Sequence, residues 1–138
     1  MIQVKQTILH DPDNGIHGNC LSAFLASLLH LDINSIPIFS NPETWLVELN
    51  AWLKDFGLAY MVLTNLETYA RDCGISGLWH EIYGSTVRSA DILHACVGKD
   101  GKLEFDPHPD GTGLVEPLGF GVFIILEPWK AIRREQQS

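Results

Sequence analysis

From Cys20 to Leu31 the chain reads Cys-Leu-Ser-Ala-Phe-Leu-Ala-Ser-Leu-Leu-His-Leu, with only Ser22, Ser27 and His30 breaking the apolar residues. A helix apolar on nearly every side cannot lie at a surface and has to be covered from more than one direction. The rest of the chain must therefore supply layers around it. Asn19, just before the run, reads as an N-cap whose side-chain oxygen accepts from the first free backbone N–H groups. That places Cys20 in the first turn, at the positive end of the helix dipole.

The covering elements are legible from periodicity. Trp45, Leu46, Leu49, Trp52, Leu53 and Phe56 recur at helical spacing before Gly57 and predict a second amphipathic helix over about 43–56. Leu58 to Leu63 suits a strand, and Asn65 to Cys73 a short helix. Ile92 to Val97 and Leu103 to Phe105 flank Lys99-Asp100-Gly101-Lys102, where Asp-Gly marks a tight hairpin. His80 to Tyr83 reads as a short strand followed by a polar loop over 84–89, and Gly121 to Leu126 as a final buried strand. Met1 to Leu9 alternates like a short strand or an extended arm, His10 to Gly18 is dense in turn formers, and Arg133 to Ser138 is expected to fray. The expected fold is α+β: a buried N-terminal helix packed on an antiparallel sheet, with a second helix beside it.

Composition narrows the class. A chain of 138 residues with 46% apolar and 19% charged residues fits one domain with a substantial core. Nine Lys and Arg against 17 Asp and Glu leave a formal charge of -8, which disfavours nucleic acid and anionic membrane as partners. No membrane span or signal-peptide core is evident, so a cytoplasmic location is expected. Cys20, Cys73 and Cys96 show neither a disulfide framework nor zinc-ribbon spacing, and no cofactor is expected. The oligomeric state is left open.

Three side chains stand in an order that can carry chemistry: Cys20 at a helix start, His94 on a hairpin strand, and Asp106 beyond the next strand. A thiol attacks as its thiolate, which a helix N-terminus and a neighbouring imidazolium both favour. An aspartate reached across a hairpin turn can hold the second ring nitrogen of the histidine and fix its tautomer.

Gly18-Asn19-Cys20 opening an apolar helix, His94-Ala95-Cys96-Val97 on a strand and Asp106-Pro107 after a hairpin resemble the papain-like cysteine peptidases in minimal form, particularly the double-glycine leader peptidase group. With Ala26-Ser27-Leu28-Leu29, Ile36-Pro37, Asp106-Pro107-His108-Pro109 and Gly113-Leu114 added, the likeness is closer to a group of small bacterial and phage proteins. The resemblance implies a papain-like domain spanning 1–138, with Cys20 as nucleophile, His94 as general base and acid, and Asp106 as orienting carboxylate. It implies attack on the amide or thioester bond of a peptide or small substrate. Papain-like enzymes carry an oxyanion-hole glutamine one short loop before the cysteine, where this chain has Asn14. Asn14, Gln6 and Asn19 are thus the candidate amide donors, and His108, between two prolines, is a candidate substrate contact or simply part of a stiff turn.

Plainer readings stand beside these. A cysteine in an apolar helix is commonly a small hydrophobe, and Cys73 and Cys96 read as packing. Cys20, His94, His108 and Asp106 are all zinc-ligand types, but no pair has tight ligand spacing. The Trp45, Trp52, Phe56 stripe reads as core. A catalytically inactive binding module that captures a protein or small molecule is the alternative to a thiol hydrolase or acyl transferase, because one fold hosts both.

Overall fold

The computed structural model describes residues 1–130, so the tail expected to fray lies outside the described residues. Helix α1 (Cys20–Leu29) buries Ala23, Phe24, Leu25 and Ala26 completely, while Leu28 is half-buried. It ends two residues before the apolar run does. His30 adopts a left-handed backbone (φ 57°, ψ 47°) and donates its N–H to the Ala26 carbonyl, closing the last turn. The two serines inside the helix are satisfied: Ser22 Oγ donates to Pro37 O at 3.0 Å, and Ser27 Oγ donates to Ala23 O at 2.8 Å. Ser27 Oγ also accepts the Val4 N–H at 3.1 Å, so a polar atom of the core helix holds the N-terminal segment.

That segment is an arm and not a strand of the sheet. Ile2 N–H donates to Ser27 O at 3.0 Å, Gln6 N–H to Pro107 O at 2.9 Å, and Asn19 N–H to Ile8 O at 3.1 Å. Lys5 Nζ reaches the carbonyls of Asp106 and His108, both at 3.1 Å. The arm therefore ties the start of α1 to the loop beyond the hairpin.

Helix α2 (Trp45–Leu53) continues as a 3-10 turn over Lys54–Phe56 and stops at Gly57, whose φ of 73° suits a residue without a Cβ. Strand β1 (Leu58–Leu63) and helix α3 (Leu66–Cys73) follow, then β2 (Trp79–Thr86), β3 (Ser89–Lys99), β4 (Lys102–Phe105) and β5 (Glu116–Ile125). The five strands lie in the order β1-β5-β2-β3-β4, each neighbour antiparallel. The molecule is thus α+β, with the last strand inserted between the first two.

Two expectations are corrected. The polar stretch 84–89 is not a loop, because β2 runs to Thr86 and β3 starts at Ser89, with those two residues paired. Gly84 passes so close to the Glu116 carbonyl that a Cβ there would collide with it. Near the end of a sheet, backbone pairing continues after apolar alternation has stopped, and serine and threonine tolerate strand geometry well. For the same reason β5 begins at Glu116, ahead of its apolar core. The β3–β4 turn is as the sequence predicts: Asp100 (φ 52°) and Gly101 (φ 83°) both take positive φ.

One face of the sheet carries α1 and α2 over Phe24, Leu25, Leu49, Leu53, Tyr60 and Val97. The other packs Leu66, Ile82, Cys96 and Phe120. Trp45 and Trp52 pack partly buried against the first cluster, in keeping with a core role, while Phe56 beside Trp52 stays exposed. Among the described residues, no helix is long and apolar enough to cross a membrane.

Candidate active site

Cys20 is the first residue of α1, half-buried, with its Sγ 3.5 Å from the backbone N–H of Ala95 on β3. Asn19 precedes it but does not cap with its side chain. Its Oδ1 instead accepts the N–H groups of Thr7 (3.0 Å) and Ile8 (2.9 Å), and its Nδ2 donates to Thr7 Oγ1 at 2.9 Å. The N-terminal arm outcompetes the helix for this amide because it offers several bonds at once. Asn19 is thereby a fastener beside Cys20, and the first-turn N–H groups of α1 have no side-chain cap from it.

His94 and Asp106 come together as the hairpin geometry requires, His94 Nε2 lying 2.6 Å from Asp106 Oδ1 with both side chains buried. Asp106 Oδ1 also accepts the His108 N–H, and its Oδ2 accepts the Gly113 N–H, each at 2.8 Å. Burial alone would raise the Asp106 pKa, but the bonds from His94, His108 and Gly113 hold the carboxyl well below the usual carboxylate range. On His94, burial opposes a charge, yet the bond to Asp106 and contacts with the Cys20 and Cys96 sulfurs outweigh it and hold the pKa at about 11. With Nε2 given to Asp106, Nδ1 is the ring nitrogen left for a sulfur. Such an imidazolium can both favour sulfur attack and deliver a proton to a leaving group.

Cys96 completes this cluster from the core side, and burial pushes its thiol up, against the pull of His94. Donor atoms of His94, Cys96 and Asp106 lie within 4.8 Å of one another and are the set among the described residues that could hold a metal. Asp106 spends both oxygens on hydrogen bonds within the protein, so the cluster is satisfied as it stands. His108 and Cys20 do not join it as ligands.

The three amide candidates separate cleanly. Asn14 is exposed in a 3-10 turn, where its Nδ2 bonds Asp11 Oδ2 at 2.7 Å, and it does not line the site. Its place one short loop upstream is undone by the turn, which carries it outward. Asn19 gives its Oδ1 twice and its Nδ2 once to the arm, and it does not line the cavity at Cys20. Gln6 is buried, lines the cavity that holds Cys20 and His94, donates from Nε2 to Ile8 O at 3.0 Å, and leaves Oε1 with no partner. An unsatisfied buried amide oxygen costs about 1–3 kcal/mol, a cost more often met at functional sites than elsewhere. His108 lines the same cavity, its Nδ1 accepting the Asp110 N–H at 3.1 Å, so it is both turn and wall.

Two cavities meet at Cys20, His94, His17 and Leu93. The larger, about 420 Å³, is edged by Gln6, His10, Arg88 and His108. The other, about 330 Å³, is walled by Leu21, Phe39, Trp45 and Val62 and floored by Glu81 and Tyr83. Glu81 is buried, accepts the hydroxyl of Tyr60, and has its pKa raised to about 7 by burial, against the pull of that bond and of the His94 charge. Sequence reasoning passed over Glu81. Its signal was there, as a lone acid inside the strand Trp79-His80-Glu81-Ile82-Tyr83, where an unpaired carboxylate is seldom buried.

No family model, curated protein or solved structure matches the chain.

Proposed function

We propose that this protein is a papain-like thiol hydrolase or acyl transferase that cleaves an amide or thioester bond through Cys20, His94 and Asp106. The observation that carries this reading is the buried His94–Asp106 bond of 2.6 Å beside a helix-start sulfur seated at the Ala95 N–H. Cys20 Sγ adds to the substrate carbonyl carbon, and the carbonyl electron pair moves onto oxygen. The backbone N–H groups at the open end of α1 and the second N–H of the Gln6 amide, which lines the same cavity as Cys20, are the candidate donors to that oxyanion. His94 then gives its proton to the leaving amine or thiol as the bond to carbon breaks, leaving a thioester on Cys20. Water or a second nucleophile, deprotonated by His94, displaces Cys20 and completes hydrolysis or transfer. Asp106 keeps the imidazole oriented and stabilises its charged form throughout. The meeting of two cavities at the sulfur suits a substrate whose acyl and leaving portions extend to opposite sides of the scissile bond.

Iodoacetamide labelling at pH 6, read by peptide mass mapping, tests the nucleophile. Cys20 is expected to be marked ahead of the exposed Cys73 and the buried Cys96, and His94→Ala to abolish that lead. Incubation with a small thioester should then give a transient mass gain on Cys20 that decays as the acyl group leaves. Equal labelling of the cysteines defeats the reading; preferential labelling with no acyl turnover assigns the fold to a binding module.

A further inference from the structure

The second cavity has a composition that the cleavage chemistry does not explain. Its walls are apolar and aromatic, from Leu21, Phe39, Trp45 and Val62, while its floor holds a carboxylate. Glu81 is 5% exposed, and one oxygen is taken by Tyr60; among the described residues the other has no hydrogen-bond partner. The floor is built by strand register. Glu81 and Tyr83 on β2 face Gly121 and Gly119 on β5, and these glycines leave the space through which the hydroxyls of Tyr60 and Tyr83 pass. A Cβ at either glycine would collide with the tyrosine above it. Two bare positions on β5 thus hold the floor open around an acid.

Burying a carboxylate without a full set of partners is costly, and the raised Glu81 pKa expresses that cost. An opposite charge entering the cavity would relieve it. His94, which also lines the cavity, already has its charge matched by Asp106, and His17 and Cys20 complete this side of the lining. A cation with an apolar stem meets both halves of the lining: methylenes against Leu21 and Val62, the charged head toward Glu81, with aromatic faces of Trp45 and Phe39 nearby.

We infer that this cavity is a subsite for an aliphatic ammonium group, as on a lysine side chain or an alkylamine, held by the open oxygen of Glu81 next to the scissile bond. As a statement of substrate class it rests on the thiol chemistry proposed above, but the recess can be tested apart from that chemistry.

Two chloroacetamides of equal length, one ending in an ammonium and one in a methyl group, are compared for their rate of Cys20 alkylation. The ammonium probe should react about tenfold faster, equivalent to roughly 1.4 kcal/mol of selective binding. In Glu81→Gln, which keeps the shape and an acceptor for Tyr60, the ratio should fall to near one. A methyl probe that reacts as fast in the unaltered protein, or a ratio that survives Glu81→Gln, overturns the subsite. The second measurement needs no reaction at sulfur: thermal unfolding with hexylammonium or with hexanol. Stabilisation by the amine alone, lost in Glu81→Gln, supports the subsite even if Cys20 proves inert, which would defeat only the hydrolase reading. Equal stabilisation by amine and alcohol, or none by either, overturns the subsite whatever Cys20 does.

Discussion

Asp106 has more to do than orient an imidazole. Its two oxygens receive His94, the His108 N–H and the Gly113 N–H, so one carboxylate organises the ring and the Asp106–Gly113 loop together. Asp106→Asn removes the charge that stabilises the imidazolium and turns an NH₂ group toward a partner that also donates. Acylation of Cys20 should slow by about 10²- to 10⁴-fold, and urea denaturation should show a loss of about 1–3 kcal/mol from the mismatched bond. A variant that acylates at the normal rate would reduce Asp106 to a loop fastener. At this scale, the order Cys20, His94, Asp106 was legible because each residue is placed by a local signal: helix start, hairpin strand, strand end. Gln6 could be named only as one amide of three, since its position depends on Pro107 and Ile8, contacts that no local pattern records. Glu81 was missed because its setting is made by Tyr60 and Gly121 on other strands.

Among the elements, β5 departs furthest from what its sequence announces. Its apolar stretch predicts a buried strand from Gly121, yet pairing begins at Glu116, and the glycines in between are sites of close tyrosine packing. Gly121→Ala would drive a methyl group into the Tyr60 hydroxyl, which would have to give up its bond to Glu81 to make room. The expected cost is about 1–3 kcal/mol by overpacking, measured as a lowered urea midpoint, with a loss of the ammonium preference because the cavity floor shifts. An Ala variant of unchanged stability would mean that the trough is looser than its contacts imply. Helices α1 and α2 and the Asp100–Gly101 hairpin were readable because their apolar period or turn chemistry is self-contained. The β2–β3 hairpin was not, since its Ser and Thr residues gain strand character only from the partners they meet.

Across the whole molecule, buried acids and the charged pair give stability a sloped pH profile. The folded pKa of His94, about 11, stands above the unfolded value near 6.5, so its stabilisation is full below about pH 6.5 and lost as pH rises through 11. That of Asp106 stands below its unfolded value of about 3.9, so its share of the same bond is full above about pH 4 and lost as acid overtakes the depressed folded value. Glu81 works the other way: with a folded pKa of about 7, the native state holds its proton longer than the unfolded chain does, and stability falls from about pH 4.5 to 7. Urea titrations at pH 5, 7, 9 and 10.5 should therefore show highest stability near pH 5 and successive losses above it. Glu81→Gln should flatten the segment between pH 5 and 7 while leaving the alkaline decline; an unchanged slope there would show that Glu81 does not carry the buried charge.

The strand order also sets a timetable. A chain emerging from a ribosome presents Cys20 ahead of all five strands, but β1 and β2 have no shared neighbour until residues 116–125 arrive to lie between them. The arm's grip on Pro107, and the partnership of His94 with Asp106, wait on β3, β4 and the residues just beyond them. Contacts of such long sequence separation form slowly and late. A nascent or truncated chain that stops short of Asp106 thus carries its thiol without the groups proposed to activate it, and the sheet behind them is completed only when β5 is added.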